Sequence, residues 1–342
     1  MKGFAVRRER LRPEDLIGRV VADSLFDPEG KTILKKGQRL QEQDLPLLMA
    51  ADWEELHLIE MGSEDLDEEE AGRRLAGVVA GAGVEDLAAA HGKHTLRALH
   101  KGLLKIEVAA LHHLNALPGM AVYTLFTDQI VSKGETVANV QITPLAIHKK
   151  TLAEAEQIGR QATGLIRVLP FSRRRAAVLV RERKEGAKER FLASLQAKLR
   201  WFDCDIQEIV NLPDQPVKIR ERAEASIKSG ATLLLMAGSN AMDPLDPFLV
   251  ALKMAGGRIE RQGIPAHPGT LLWLASLRDV PIIGLPSCGL FSNATAFDLL
   301  LPRLLALGRL SSEEIASLGH GGILNRDMAF RFPPYEKEPG GE

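Results

Sequence analysis

Two cysteines, Cys204 and Cys288, are all that 342 residues contain. They cannot build a disulfide framework, and no zinc-ligand spacing relates them. No apolar run approaches the roughly 18 residues that a membrane-spanning helix requires. Net charge is nearly absent too: 44 Lys and Arg against 45 Asp and Glu leave −1 at pH 7. That balance excludes nucleic-acid binding driven by bulk positive charge. The N-terminal Met1 to Arg10 stretch is charged and lacks the apolar centre of a signal peptide. These absences point to a soluble cytoplasmic protein. Hydrophobic residues make up 45% of the chain, ample for a core, and its length fits two or three domains.

Residues 1–62 read as a small β-rich module. Ile17 to Ala22 and Lys31 to Leu34 have strand character around the turn Asp27-Pro28-Glu29-Gly30. A short helix with Leu45, Leu47 and Leu48 and a strand Glu55 to Glu60 complete it. An acidic run, Glu64 to Glu70, then suits the N-terminus of a helix, where negative charge is favoured. Residues 63–150 form an α+β middle module, with helical periodicity over Val108 to Leu117 and strands at Ala121 to Leu125 and Val137 to Ile142. Of its histidines 91, 94, 100, 112 and 113, His91 and His94 have a plausible ligand spacing, but nothing nearby supplies acidic or cysteine partners, so a non-metal reading is preferred. Lys93, His94, Arg97, His100 and Lys101 form either a basic lip toward an anion or a solvated face. Residues 151–174 are expected to be a linker helix.

From Ala176 the pattern becomes regular. Strands at 176–180, 204–210 and 232–236 alternate with helices at 188–200, 217–228 and 247–255; strands at 258–262 and 281–284 and a helix at 293–307 follow. Such alternation predicts an α/β domain over 175–330, a doubly wound and mainly parallel sheet, with 331–342 a flexible tail. Folds of this kind bind ligands at the carboxyl ends of their strands. Two strand-to-helix turns lie there: Met236 to Asp246, and Ile283 to Asn293.

In the first turn Gly238, Ser239 and Asn240 offer backbone N–H groups and short polar side chains to an anion. Asp246 precedes Pro247, so it reads equally as a helix cap and as a ligand contact. Asp243 has less structural excuse and is the candidate for reactive work or Mg²⁺. Between the turns, His267-Pro268-Gly269-Thr270 fixes an irregular loop. His267 could donate to an oxyanion, or be an ordinary loop histidine. In the second turn Pro286, Ser287, Cys288 and Ser292 are candidate contacts. No Cys-His-acid set accompanies Cys288, so hydrogen bonding is preferred there to covalent catalysis.

Residues 176–307 resemble the molybdopterin-binding domain shared by molybdopterin adenylyltransferases, gephyrin-type molybdotransferases and competence-damage-type proteins. The resemblance rests on Ala237-Gly238-Ser239-Asn240-Ala241-Met242-Asp243, on His267-Pro268-Gly269-Thr270, and on Gly284-Leu285-Pro286-Ser287-Cys288. Leu318-Gly319-His320-Gly321-Gly322-Ile323-Leu324 resembles the tail of a bacterial branch associated with molybdenum hydroxylases. The resemblance implies a role in molybdenum cofactor biosynthesis, with molybdopterin or its adenylylated or cytidylylated form as ligand. Its phosphate would rest on 238–240, and the ligand would extend toward 267–270 and 286–292. It further implies molybdate as co-substrate, Mg²⁺ at Asp243, a molybdenum hydroxylase as partner, a homo-oligomer, and no nucleic acid or membrane. Ala237, Thr270 and Ser287 stand where the family has glycine or a basic group. Two roles therefore stay open: molybdotransferase, or non-catalytic carrier or sensor of the cofactor.

Overall fold

The computed structural model describes all of the chain except positions 11, 90, 163, 182–184, 287–293, 326–327, 329–330, 334 and 336–342. Two compact units emerge. The first comprises Met1–His100, Leu104–Thr127 and Val131–Val168; the second comprises Lys101–Leu103, Asp128–Ile130 and Leu169–Glu342. Both are α and β mixed, with several separate sheets between them. Among the described residues no helix is long and apolar enough to cross a membrane.

The first unit opens with an antiparallel sheet in the order Lys2–Arg7, Glu55–Glu60, Val20–Val21. Its core is Leu16, Val21, Leu34, Leu40, Leu48, Trp53, Leu56 and Leu58. A four-stranded antiparallel sheet follows, ordered Met120–Thr124, Thr136–Ile142, Lys93–Ala98, Val84–Ala88. The helices Glu68–Val79 and Lys149–Gln161 supply Leu75, Val79, Leu152 and Ala155 to the core shared with Leu96 and Val140. The acidic run does start a helix: Asp67 accepts from the Glu70 amide, and Glu68, Glu69 and Glu70 occupy the first turn.

His94 differs from the basic-lip expectation. It is 3% exposed, and its Nδ1 lies 2.8 and 2.9 Å from the two carboxylate oxygens of Asp86 on the adjacent strand. The acidic partner sits eight residues back along the chain and arrives through antiparallel pairing, which sequence proximity does not reveal. The linker helix expected over 151–174 occupies Lys149–Gln161 instead; Gly164 takes a positive φ of 86° and Ile166–Pro170 forms a strand.

The second unit holds β1 (Arg175–Val180), α1 (Glu185–Trp201), β2 (Asp205–Asn211), α2 (Pro216–Lys228), β3 (Leu233–Ser239) and α3 (Pro247–Met254). It continues with β4 (Arg258–Gln262), β5 (Trp273–Leu277), β6 (Val280–Pro286), α4 (Ala296–Leu307) and α5 (Ser312–Ser317). The sheet order is β2-β1-β3-β6-β5-β4. The first three pairings are parallel and the last two antiparallel.

Both faces of this sheet are covered. Ala176, Val178 and Val180 enter one core with Leu195, Leu199, Phe297, Leu300 and Leu304 of α1 and α4. Ala177 and Leu179 enter the other with Ile219, Ala223, Phe248 and Leu252 of α2 and α3. A strand buried on both sides needs no polar alternation, which accounts for the unbroken Leu233-Leu234-Leu235-Met236 run. Each such side chain contributes roughly 1.5–3 kcal/mol on burial.

Candidate functional site

The ends of β1, β3 and β6 and the loop between β4 and β5 lie at the carboxyl edge of the parallel strands. Register pairs Ala237 with Leu285 and Ser239 with Pro286, so the ends of β3 and β6 lie side by side. Val180 pairs with Ala237, and the Arg181 amide donates to the Ala237 carbonyl at 2.9 Å, bringing in the end of β1. The loop between β4 and β5 reaches the same edge: the Ala296 amide, first in α4, donates to the Pro268 carbonyl at 2.8 Å. Gly269 has φ of 109°, and a Cβ there would meet Ala296 at 2.9 Å, so only glycine allows this approach.

The Asn240 to Asp246 turn satisfies itself. The Asp246 carboxylate is buried; Oδ1 accepts from the Phe248 amide at 2.9 Å, and Oδ2 accepts from the Asn240 amide at 3.0 Å. Arg181 Nη1 adds a third contact to Oδ2 at 2.8 Å and spans to Asp214 through Nε at 2.7 Å. Asn240 Oδ1 accepts from Met242, and Asp243 Oδ1 from Leu245. Asp246 therefore caps α3 and anchors the turn, and the amide of Asn240 is taken. Gly238, at φ 86°, lets β3 bend out of its ladder beside Pro286. The Ser239 hydroxyl is buried and accepts from Trp273 Nε1 at 2.6 Å.

What faces outward is a shorter set: Asn240, Asp243, His267 and Thr270 are exposed. The Thr270 hydroxyl donates to the Ala266 carbonyl at 2.9 Å. His267, joined to Pro268 by a cis peptide bond, presents its ring from a backbone held on both sides. Its amide donates to the Gly322 carbonyl at 2.7 Å, and its carbonyl accepts from Leu324 at 2.8 Å. The tail stretch 319–324 thus belongs to this edge, which its separation in sequence from the loops conceals. Gly322 is wedged there, since a Cβ would strike the Pro265 and Leu318 carbonyls.

Ser287, Cys288 and Ser292 lie outside the described residues; Pro286 is buried at the end of β6. Among the described residues no group of three His, Cys, Asp or Glu side chains is placed to hold a metal ion. Asp243 is thus in no such group among the described residues, which falls short of a Mg²⁺ site built by those side chains alone. Among the described residues this edge is mostly pre-satisfied and carries a few exposed polar side chains, so binding there would run through side chains more than through free turn amides.

No known protein family matches the chain, and no curated protein sequence does so. Solved structures do. The molybdopterin biosynthesis enzyme MoaB from Thermus thermophilus is similar over 43% of this chain and 97% of its own, with 14% identity and a TM-score of 0.29. The molybdopterin biosynthesis MoeA protein from Pyrococcus horikosii is similar over 71% of this chain and 80% of its own, with 13% identity and a TM-score of 0.29. At those scores neither likeness bears on the chemistry of the site.

Proposed function

We propose that the second unit binds molybdopterin, or its adenylylated or cytidylylated form, at the carboxyl edge of its sheet, in the service of molybdenum cofactor biosynthesis. The observation that carries this reading is convergence. Turn 237–246, loop 264–270 and the end of β6 are far apart in sequence, are the stretches that resemble the molybdopterin-binding domain, and meet at one edge. In this reading the covered sheet is the doubly wound sheet of that domain. Asn240, Asp243, His267 and Thr270 contact the ligand, Gly238 and Gly269 let it approach the backbone, and Ser287, Cys288 and Ser292 are further ligand contacts. Ser239, Pro286 and Asp246 hold the frame.

Two roles share this binding. As a molybdotransferase the chain would use Asp243, whose carboxylate has no ion-pair partner among the described residues, beside the transferred molybdate; Mg²⁺ would need ligand phosphate oxygens to complete its shell. As a carrier it would hand the cofactor to a molybdenum hydroxylase without turnover. The self-satisfied turn and the absence of a basic residue at Thr270 favour the carrier role, because an oxyanion in transfer needs positive charge or donors in place. A homo-oligomer is part of the proposal.

Titration with fluorescent oxidised pterin and with molybdopterin tests binding; no affinity for any molybdopterin species removes the reading. If binding is found, molybdate and adenylylated molybdopterin, with and without Mg²⁺, separate the roles. Product formation that is lost in Asp243→Asn while binding persists makes the chain a transferase. Binding without product makes it a carrier.

A further inference from the structure

A separate cavity of about 400 Å³ opens at the other end of the second unit's sheet, lined by Arg173, Gln196, Arg200, Asp203 and Asp205 over a floor of Cys204 and Ile206. Arg175 of β1 pairs with Asp205 of β2 at the start of both strands, and the Asp205 amide donates to the Arg174 carbonyl at 2.9 Å. The cavity is therefore at the amino edge. Strands of six or seven residues, at about 3.3 Å each, put it roughly 20 Å from the loops described above.

Its size falls within the roughly 300–1,000 Å³ of small-molecule sites. Its lining is mainly polar and contains no aromatic ring, which excludes an apolar ligand and stacking of a flat base. The Asp203 carboxylate is held by Lys101 Nζ at 3.0 Å, and the same ammonium donates to the Trp201 carbonyl at 2.7 Å. Arg173, Arg200, Gln196 and Asp205 have no side-chain partner among the described residues. Two free guanidiniums, one free carboxylate and one free amide thus face a common space.

We propose that this cavity binds a phosphorylated ribose, either a free sugar phosphate or the ribose phosphate of a nucleoside monophosphate. Arg173 and Arg200 take the phosphate, since planar guanidiniums match its oxygens in paired hydrogen bonds. Asp205 accepts from the sugar hydroxyls, the role a carboxylate plays toward a ribose diol in dinucleotide sites. Gln196 adds a neutral contact that either a hydroxyl or a ring oxygen satisfies. Burial pushes the Cys204 thiol above its ordinary range, so the floor contributes shape and no nucleophile. The site is independent of the molybdopterin reading and lies away from every residue assigned there.

Calorimetric titration of the full chain with ribose 5-phosphate, 2-deoxyribose 5-phosphate, AMP and inorganic phosphate tests it. Ribose 5-phosphate is expected to bind about tenfold or more tightly than inorganic phosphate and than the deoxy sugar. Arg200→Ala should weaken it by about tenfold while Arg200→Lys keeps part of the affinity. Asp205→Asn should erase the preference over the deoxy sugar. Equal binding of AMP and ribose 5-phosphate makes the sugar phosphate the ligand; clearly tighter AMP makes it the nucleotide. These side chains are exposed and unpaired, so the variants should melt with the wild type and keep any pterin binding. No binding at millimolar ligand, inorganic phosphate as tight as the sugar, or an affinity untouched in the Arg173→Ala/Arg200→Ala double variant overturns the proposal.

Discussion

Trp273 Nε1 donates to the Ser239 hydroxyl at 2.6 Å, and both groups are buried. Register places Trp273 beside Gly284 of β6, and the indole lies where a Gly284 side chain would begin. One aromatic residue on an antiparallel strand thus fixes the ends of two parallel strands that frame the carboxyl edge. The serine that the sequence offers to a ligand is spent on this internal bond.

Replacing Gly284 by alanine should destabilise the protein by about 1–3 kcal/mol or prevent folding, because the indole has no free volume to yield. Ser239→Ala and Trp273→Phe should each cost about 1–3 kcal/mol by leaving one buried polar group unpaired. The double variant should lose less than the sum of the two. Urea unfolding measures all of these; additive losses would remove the coupling.

Asp243 and Asp246 stand three residues apart and should separate cleanly. Asp246→Ala removes a helix cap, an anchor of the Asn240 amide and the partner of a nearly buried Arg181, so a loss of about 3–5 kcal/mol is expected. Asp243→Asn removes an exposed group and should stay within about 0.5 kcal/mol of wild type. Denaturant midpoints for the pair decide this.

Glu156 and Glu68, both in the first unit, are shifted in opposite directions from the ordinary carboxylate value. The Arg74 guanidinium, 2.7 Å away, holds the Glu156 carboxyl below its usual value despite burial. That stabilisation is present above the ordinary carboxylate range and is lost as pH falls through the lowered folded value. Arg74→Ala should therefore lower stability at neutral pH, with the difference closing in strong acid. Burial raises Glu68 instead, outweighing His91. Its contribution is fully present below the unfolded value and lost as pH rises through the folded one, so Glu68→Gln should narrow the decline between weak acid and neutrality. Thermal melts across pH test both signs.

Gly322 is pressed between the Pro265 and Leu318 carbonyls beneath the His267 loop. Gly322→Val should displace that loop and weaken pterin binding, by about tenfold if the exposed His267 ring makes one good contact. Unchanged affinity in a folded variant would take the tail out of the site.

Much of the second unit's element order is legible from pattern. Leu233 to Met236 and Ile282 with Ile283 are apolar runs bounded by turn residues, and Asp246-Pro247 marks a helix start that the structure contains. β5 escapes this reading because Trp273 to Leu277 lies between Gly-Pro-rich loop and Arg-Asp turn without a helix to set it off. Lys2–Arg7 escapes because charges flank its few apolar residues; its pairing with Glu55–Glu60 makes it a strand. The residues of the carboxyl edge are recognisable by type, yet their engagement is not. Whether Ser239 and Asp246 are free depends on Trp273 of β5 and on Arg181 just after β1.

Composition and local pattern were enough to mark out an α/β second unit and its turn residues, because strand runs, caps and glycine turns act over a few neighbours. Pairing of strands distant in sequence decided the rest. It brought 319–324 to the His267 loop, Trp273 onto Ser239 and Arg181 onto Asp246. Those are long-range contacts, set by which faces must be buried together, and no short stretch of chain carries them.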